Sequence, residues 1–583
     1  MSHSSLTKQI TRYNSLSTSR RTLLSWCVNP KTGPGIHFST DDGWDFWGYD
    51  RLALRTRNVA DGLVAAGLGP GDVVCVVQGS GPDFVAALFG SMLAGAAASP
   101  IAPPVLFQDL AAYGEHLTGL LRTARPRLMI TEPDLLPYVE PPASAIGVPT
   151  VTVQSLLDQA TGPGTSGPAC TDADLALLQF TSGSSGRCRG VQVPFSALAA
   201  NVAAIRTWLR WTPEDPVASW LPVHHDMGLI GCLITPVVSD SELWLLRPLD
   251  FIRSPAKYLK CFGQLGARLT AMPNFGLDYI VRRVSADALQ GCDFSQWRAV
   301  IIGAEHLSSR SFEKFAELLA PFGLPDHALR PAYGLAESTL AVTGLPLGER
   351  WAHVCVDPRS VRLGGVVRPA DENGNGPGAG QTLAGSGRPL EGLAVTIADE
   401  NGTALPEGSV GEVTVRGASV AAGYADSRSE PVSRFTGGVL HTGDAGFLLD
   451  GQLYVLGRIG DSIKVRGRAI FAEDLEAALA DLGIPAHRMA VAAGLHHYGG
   501  RHGPLVVAMF EQPPDREVPA EARAVLRRQA EGAQIVLVSV PVGAIPRTTS
   551  GKVQRYKIWQ EFLKGHLPVL PEYTKEQEDL SGG

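Results

Sequence analysis

Hydrophobic and polar positions alternate in two long series along the chain, and each series predicts a parallel α/β unit. In the first, from Tyr49 to Ile101, an amphipathic helical segment is followed by a turn, an apolar strand and a second helical segment. In the second, from about Ala176 to Leu345, short β-rich pieces alternate with segments of helical period. Such alternation is typical of open parallel sheets that are covered by helices.

The pattern changes in the last third of the chain. From about Arg362 to Asp450, short strands are separated by glycine and proline, and residues 364–387 are expected to form a long flexible connection. Beyond Arg458 the pattern is compact α+β. We therefore predict an α/β protein with two parts. A large N-terminal region, residues 1–458, holds two α/β subdomains and a β-rich subdomain, and residues 459–583 form a small α+β domain.

One apolar run is long enough to be considered as a transmembrane helix. Residues 84–108 carry no charge and are numerous enough to span a bilayer. Pro100, Pro103 and Pro104 interrupt the run where a spanning helix would have to continue. The N-terminal segment lacks the apolar core of a signal peptide. We predict a buried helix followed by a short buried strand, and no transmembrane segment.

Composition and charge narrow the class of protein. The chain has 583 residues, a net charge of -7 and a pI near 6.1, so it has no sequence-wide positive field to attract a nucleic-acid partner. Its eight cysteines form no C-x-x-C pair and no cluster with zinc spacing. This cysteine usage favours a reducing cytoplasm.

The stretch TSGSSGRCRG, residues 181–190, has the chemistry of a phosphate-binding loop. Small residues allow backbone N–H groups to approach an anion closely, and hydroxyl and arginine side chains add donors and charge. Because Gly186 is followed by Arg187, the stretch is not a Walker P-loop. A flexible surface loop is the alternative. The candidate residues are Thr181, Ser182, Gly183, Ser184, Ser185, Gly186 and Arg189.

Further motifs follow in a fixed order: WLPVHHDMGL (220–229), AMPNFGLDYI (271–280), IIGAEHL (301–307), AYGLAES (332–338), HTGDAGFLLDGQLYVLGR (441–458) and PRTTSGKVQR (546–555). The ordered set resembles the core motifs of adenylate-forming enzymes, the superfamily of acyl-CoA synthetases, peptide-synthetase adenylation domains and luciferase. The sequences of these motifs are most similar to those of fatty acyl-AMP ligases. Residues 354–390 stand where that group carries an insertion associated with limiting thioester formation on free coenzyme A.

The resemblance implies a role for each motif. It implies ATP binding by the loop at 181–186 and by Gly303, Ala304, Glu305, Tyr333, Gly334, Asp444 and Arg458. Tyr333 would stack on adenine, Asp444 and Arg458 would bind the ribose hydroxyls, and Glu337 with Thr181 would hold Mg²⁺. The acyl-binding residues would be His225, Asp226, Met227, Gly228, Phe275 and Gly276. From the residues alone, His225 could instead be an acid/base or metal-binding group, and Phe275 could be only core.

Lys552 is the principal catalytic candidate, with Glu337 and Arg189 beside it. The resemblance places Lys552 where an ammonium group bridges the substrate carboxylate and the α-phosphate. Two positions depart from the family pattern. Arg189 replaces the usual lysine, which keeps the charge but changes its geometry. The resemblance also implies that residues 459–583 are a mobile lid. Gly460 stands at its hinge position, where relatives usually have Asp or Lys, and glycine permits wide backbone rotation.

The sequence therefore predicts an acid–thiol ligase that uses ATP and Mg²⁺ to activate a hydrophobic carboxylic acid, either a long-chain or a bulky natural-product acid, releasing pyrophosphate. The acyl group would then pass to the phosphopantetheine thiol of an acyl carrier protein in natural-product or lipid biosynthesis. One alternative is an acyl-CoA synthetase acting on a fatty or polycyclic terpenoid acid with coenzyme A as acceptor. The alternative from another class is a non-catalytic nucleotide-binding protein.

Overall fold

The computed structural model describes the greater part of the chain: residues 17–104, 110–159, 170–181, 188–370, 380–426, 433–465, 468–498, 501–512, 520–530, 532–547 and 552–567. The helices α1 to α15 are Thr18–Val28, Tyr49–Ala65, Pro82–Ala94, Leu110–Ala124, Leu136–Ser144, Val153–Gln159, Phe195–Trp208, Thr235–Val238, Pro248–Arg253, Pro255–Gly263, Asn274–Arg283, Ser309–Leu319, Ala472–Ala480, Ala520–Gln529 and Arg555–Leu563. A π-helix covers Met227–Ile234.

The strands β1 to β14 are Gly35–Thr40, Gly43–Gly48, Val73–Val77, Ala97–Pro100, Leu128–Thr131, Thr150–Thr152, Leu175–Thr181, Arg189–Pro194, Val217–Ser219, Leu243–Leu245, Leu269–Met272, Ala299–Ile302, Leu329–Gly334 and Ala341–Gly344. The strands β15 to β28 are His353–Val356, Gln381–Ala384, Arg388–Pro389, Leu393–Ala398, Gly411–Gly417, Gly423–Tyr424, Arg434–Thr436, Val439–Leu449, Gln452–Arg458, Ser462–Val465, Arg468–Phe471, Met489–Tyr498, Arg501–Glu511 and Gln534–Val540.

Two open sheets form the α/β part of the fold. The first has the order β20-β8-β7-β4-β3-β5-β6 and is parallel from β7 to β6. The second has the order β17-β14-β13-β12-β11-β9-β10-β1-β2 and is parallel from β13 to β1. One buried cluster joins side chains of α1, α2 and α3 to both sheets, so the two α/β units share a core. The predicted α/β fold with two such units is confirmed.

The remaining sheets are smaller. An antiparallel sheet has the order β18-β19-β22-β21, with β23 paired to β22, and gives the predicted β-rich subdomain. Beyond Arg458, β26, β27 and β28 pack with α13 and α14 around a separate cluster that includes Ile463, Leu475 and Val506. This is the predicted α+β segment, and its division from the large region at residue 458 stays a prediction.

The apolar run after Phe84 folds as expected within the described residues. Helix α3 begins with Pro82 in its first turn and ends at Gly95, whose φ of 93° is left-handed and favours glycine. Strand β4 follows, and every residue of α3 from Phe84 and of β4 is buried. None of the helices in the described ranges has the length and apolar character needed to cross a membrane.

One expectation from the pattern is wrong. Residues 364–387 were expected to be a flexible connection, but Gln381–Ala384 is strand β16, paired in antiparallel register with β15. Its two buried positions, Leu383 and Ala384, are adjacent and lie among glycines, so the strand carries no period-two signal. Residues 371–379 of this stretch lie outside the described residues.

Candidate active site

A cavity of about 1660 Å³ lies between the carboxyl ends of the parallel strands of the second sheet and the C-terminal segment. In open α/β sheets this edge is where ligands bind. The structure brings most of the candidate residues into the cavity wall: Thr181, Arg189, His225, Asp226, Met227, Phe275, Gly303, Ala304, Glu305, Tyr333, Gly334, Glu337, Asp444, Arg458 and Lys552. Residues that are far apart in sequence therefore share one site.

The candidate phosphate loop connects two paired strands at the edge of this cavity. Thr181 ends β7 and lies opposite Arg189, the first residue of β8, in antiparallel register. Ser182, Gly183, Ser184, Ser185 and Gly186 lie outside the described residues. The hairpin geometry fixes where the loop begins and ends, beside the cavity.

Arg189, Tyr424 and Glu337 form one chain of contacts. The Arg189 guanidinium lies over the Tyr424 ring, 5.4 Å from its centroid, and the Tyr424 hydroxyl donates to Glu337 Oε1 at 2.7 Å. Burial, and then the charge of Glu337, raise the pKa of Tyr424, which keeps the phenol protonated as a donor. Sequence reasoning missed Tyr424, although it stands in the described strand β20 that pairs with β8.

The Glu337 carboxylate has the chemistry that Mg²⁺ prefers. It is 7% exposed, it lines the cavity, and its hydrogen bond from Tyr424 fixes its orientation. Within the described residues, no group of three or more His, Cys, Asp or Glu side chains is arranged to hold a metal ion. An Mg²⁺ ion at Glu337 would thus depend on phosphate oxygens for further ligands, as Mg²⁺ sites in nucleotide-using enzymes do.

A second group of contacts is built around Asp444. Asp444 and Arg458 are direct partners in the β22–β23 register, and Arg458 Nε lies 2.9 Å from Asp444 Oδ1. The Tyr333 hydroxyl donates to Asp444 Oδ2 at 2.6 Å. Asp444 raises the pKa of Arg458 against the effect of its burial. Each carboxylate oxygen has a second lone-pair site, so the pair can still accept from a ligand's hydroxyl groups.

Glu305 joins the loop after β12 to the start of helix α11. Its Oε1 accepts from the backbone N–H of Phe275 at 2.5 Å, at the start of α11. Asn274, in the same turn, accepts from the Ser308 N–H at 3.1 Å. Burial raises the pKa of Glu305 to about 7, although Phe275 N–H and Lys552 oppose the shift. The predicted nucleotide-side residue therefore also fixes the helix that carries Phe275.

The His-His-Asp segment turns into the π-helix. Asp226 Oδ1 accepts from the Met227 N–H at 2.8 Å and lies 3.4 Å from His225 Nδ1. Burial raises the pKa of Asp226, but the hydrogen bond and charge of His225 outweigh it, so the pKa is lowered. Burial lowers the pKa of the neighbouring His224 to about 3. His224 is therefore neutral at ordinary pH.

Gly228 and Gly276, two of the candidate acyl-site residues, are positions of close packing. A Cβ atom on Gly228 would lie 2.3 Å from the Pro222 carbonyl oxygen, and one on Gly276 would lie 3.0 Å from the Trp220 ring. Both glycines are buried. They hold the elements beneath the cavity wall close together, and a direct role in acyl binding stays a prediction.

Lys552 reaches the cavity from the C-terminal segment. It lines the cavity just before α15, close enough to Asp226 and Glu305 for its charge to lower the pKa of each. Gly460 lies in the 3-10 turn Ile459–Asp461, directly after Arg458. The described structure thus holds the lysine against the large region, with the predicted hinge between them.

A cluster that sequence reasoning missed surrounds Arg555. Arg555 Nη1 lies 3.1 Å from Glu473 Oε1 and 4.0 Å from Asp461 Oδ2, and Nη2 donates to Glu476 Oε2 at 2.7 Å. Burial and the charge of Glu473 raise the pKa of Asp461 to about 6, against the effect of Arg555. Arg555 stands in the same PRTTSGKVQR motif as Lys552, and that shared motif was the available signal.

Comparison with known proteins shows the family of this chain. The sequence model described as AMP-binding enzyme matches residues 29–425, more than half of the chain. The chain belongs to this family. It is an AMP-binding, adenylate-forming ligase that uses ATP to activate a carboxylic acid as its acyl-adenylate.

Three relatives of this AMP-binding enzyme span nearly its whole length. The Mycobacterium marinum 4-hydroxyphenylalkanoate adenylyltransferase is 31% identical, over 87% of this chain and 84% of its own. The M. marinum long-chain-fatty-acid–AMP ligase FadD26 is 29% identical, over 87% of this chain and 90% of its own. A solved structure from a study of fatty acyl-adenylate ligases of E. coli and L. pneumophila is 29% identical, with a TM-score of 0.83, and covers 95% of this chain and 99% of its own.

Proposed function

We propose that this ligase activates a hydrophobic carboxylic acid with ATP and Mg²⁺, and transfers the acyl group to the phosphopantetheine thiol of a carrier protein. The observation that carries the proposal is the composition of the cavity. Its wall combines the Arg189–Tyr424–Glu337 contacts, the Asp444–Arg458 pair and Lys552 with an extension whose walls are apolar. Fatty acyl-AMP ligases among the relatives support the hydrophobic acid.

The residues suit the first half-reaction. A substrate carboxylate oxygen attacks the α-phosphorus of ATP, the bond to the bridging oxygen breaks, and pyrophosphate leaves with the electron pair. No protein nucleophile is needed, so catalysis consists of positioning and charge stabilisation. Lys552 would bring the two anions together and Arg189 would stabilise the pyrophosphate. Glu337 and Thr181 would hold Mg²⁺, which when bound neutralises phosphate charge.

The roles at the nucleoside end follow from the contacts. Asp444, oriented by Tyr333 and Arg458, would accept hydrogen bonds from the ribose hydroxyls. Gly303, Ala304 and Gly334 supply backbone at the carboxyl ends of β12 and β13, where an aromatic base would lie beside Tyr333. Ala304 has a φ of 70°, a left-handed backbone that turns this loop around the cavity.

The apolar extension supports a hydrophobic acid. We call it the apolar arm and define it by Ile205, Trp208, Gly231, Leu269, Ala271 and Leu340. Within the described residues its walls carry no charged side chain. Thr270 stands between Leu269 and Ala271 in β11, and its hydroxyl donates to the Ala218 carbonyl at 2.8 Å and is thereby satisfied. Burial of an alkyl group here is favourable, whereas a charged or amino substituent would stay unpaired.

The acceptor is the second part of the proposal. Strand β16 belongs to the predicted insertion at residues 354–390, and Gln381 Nε2 on this strand donates to Asp474 Oδ1 of α13 at 2.7 Å. The insertion is thus joined to the lid. This contact would restrict the rearrangement of the lid, which supports a carrier protein rather than free coenzyme A as the acyl acceptor. Acyl-CoA synthesis is the second candidate. A cytoplasmic location and a role in natural-product or lipid biosynthesis stay predictions.

The division of the chain also belongs to this proposal. Residues 1–458 would bind ATP and acid, residues 459–583 would carry Lys552 as a lid, and Gly460 would act as the hinge. The purely nucleotide-binding alternative leaves the position of Lys552 in the cavity wall without a purpose.

The test is ATP-dependent pyrophosphate release with fatty, aryl, terpenoid and amino acids, with and without coenzyme A, and with mass spectrometry of the products. We expect an acyl-adenylate from a hydrophobic acid that coenzyme A does not consume and a holo-carrier protein does. Rapid conversion to acyl-CoA would establish the second candidate. ATP binding without pyrophosphate release for any acid would contradict the enzymatic proposal.

A further inference from the structure

The apolar arm runs along one face of the second sheet. Strands β9, β11 and β12 are parallel and in register from Val217, Leu269 and Ala299. Their carboxyl ends lead into the catalytic part of the cavity, whereas Val217 and Leu269, at the amino ends, also line the cavity. The arm therefore extends from the catalytic end of the strands to their opposite edge.

The path length follows from strand geometry. Three residue steps separate Leu269 from Met272 in β11, and each step rises about 3.3 Å, so the arm is roughly 10 Å long. An alkyl chain that enters beside His225 and Met227 would run beneath the π-helix Met227–Ile234. The helix packs on β9, β11 and α7, which form the other walls.

Two tryptophans lie at the far end of the arm. Trp208 is the last residue of α7, and its indole Nε1 donates to the Leu345 carbonyl at 2.8 Å. Trp211, which is 7% exposed, donates to Ser241 Oγ at 2.9 Å, next to the start of β9 and β10. These hydrogen bonds fix both rings, so the end of the arm is a rigid wall.

Gly231 lies midway along the arm, inside the π-helix. A Cβ atom built on Gly231 would lie 3.2 Å from Leu340 Cδ2, and both residues line the cavity. The helix here is an eight-residue π-helix, a rare conformation that is frequently found at functional sites. Because position 231 has no side chain, Leu340 packs directly against the π-helix, and a side chain there would displace Leu340 into the arm.

We infer that Gly231 and Trp211 determine the length of the acyl chain that this enzyme accepts. Gly231 lets Leu340 lie against the π-helix and out of the chain's path, and Trp211, fixed by Ser241, stops the chain at the amino edge of the sheet. The inference rests on the proposed function, because it concerns the acid that occupies the same cavity.

The experiment measures kcat/KM for pyrophosphate release with hexanoic, decanoic, myristic and palmitic acids. In Gly231→Leu we expect kcat/KM for decanoic and longer acids to fall about tenfold or more relative to hexanoic acid. In Trp211→Leu we expect the ratio of palmitic to decanoic acid to rise by about tenfold, because the end wall is removed. Ser241 retains its own hydrogen bond to the Thr212 carbonyl in that variant.

The matched control is Gly119→Leu on helix α4, where a new Cβ meets nothing within 4 Å. It should leave the chain-length profile unchanged. The inference is overturned if both cavity variants change kcat/KM by the same factor for every acid. If Gly231→Leu does not fold, judged by circular dichroism, the profile of Trp211→Leu decides alone. A wild-type enzyme that is inactive with every acid would instead contradict the proposed function.

Discussion

Two charged clusters face the same cavity, and they differ in how their charge is balanced. At Asp444 one carboxylate meets one guanidinium, that of Arg458, and a tyrosine hydroxyl completes the contacts. Around Arg555 one guanidinium meets three carboxylates. The first cluster joins the neighbouring strands β22 and β23 to Tyr333 of β13 in the large region, whereas the second lies wholly in the segment after Arg458.

The difference in balance has a physical consequence. The Asp444 cluster is neutral as a pair, and its geometry is set by the β22–β23 register. The Arg555 cluster has excess negative charge, which with burial raises the pKa of Glu476 as well as that of Asp461. We infer that the first cluster is a fixed binding site. For the second, we infer that the electrostatic contribution to the free energy of folding depends on pH.

Of the variants in these two clusters, we expect the largest effect from Asp444→Ala, on the affinity for ATP. Asp444→Ala removes the acceptor and leaves the Arg458 guanidinium without its partner, so we expect the Kd for ATP to rise about 10- to 100-fold. Titration calorimetry measures this directly. Asp444→Asn keeps one oxygen acceptor and should lose less. Unchanged ATP affinity in Asp444→Ala would show that the pair does not bind nucleotide.

A smaller effect is expected when the Arg555 cluster loses its cation. Arg555→Met leaves three carboxylates facing one another, so we expect a loss of stability on the order of 2 kcal/mol at about pH 8. The loss should shrink towards pH 5, because protonation relieves the repulsion. Thermal unfolding at several pH values measures it. A loss that is the same at every pH would contradict the excess-charge description.

The smallest effect is expected for Asp461→Asn, which should stabilise the folded protein, whereas Arg555→Met should destabilise it. The pKa of Asp461 is raised from 3.8 to about 6, so the folded state binds the proton more tightly and loses stability as pH rises through this window. Removing the charge should therefore stabilise the protein by on the order of 1 kcal/mol at about pH 7 and have no effect below about pH 3. A destabilised variant at neutral pH would show that Asp461 is a net favourable partner of Arg555.

The same two clusters show how far the sequence predicts the site. Asp444, Arg458 and Tyr333 lie in motifs whose resemblance to those of adenylate-forming enzymes implies nucleotide binding, and the structure brings the three together. The alternation of strand and helix periods predicted the α/β units for a similar reason, because periodicity is a local property. Local signals were sufficient for these helices and strands, whereas the contact of Tyr333 with Asp444, 111 residues away, is set by the tertiary fold.

Contacts between distant segments escaped prediction. Tyr424 and Glu337 are 87 residues apart, and Arg555 and Glu476 are 79 residues apart. The pattern of Gln381–Ala384 resembles a loop, yet the segment pairs with β15 and contacts α13. In each case tertiary packing, which no single window of sequence contains, determines the partner.

The central claim is that acyl-adenylate forms in this cavity with the help of Lys552. The most direct test compares wild type, Lys552→Ala and Lys564→Ala, an exposed lysine of the same segment paired with Glu561, in single-turnover formation of acyl-adenylate. We predict a loss of about 100- to 1,000-fold in Lys552→Ala with little change in the Kd for ATP, and wild-type rates in Lys564→Ala. Acyl-adenylate formation at the wild-type rate in Lys552→Ala would contradict the account.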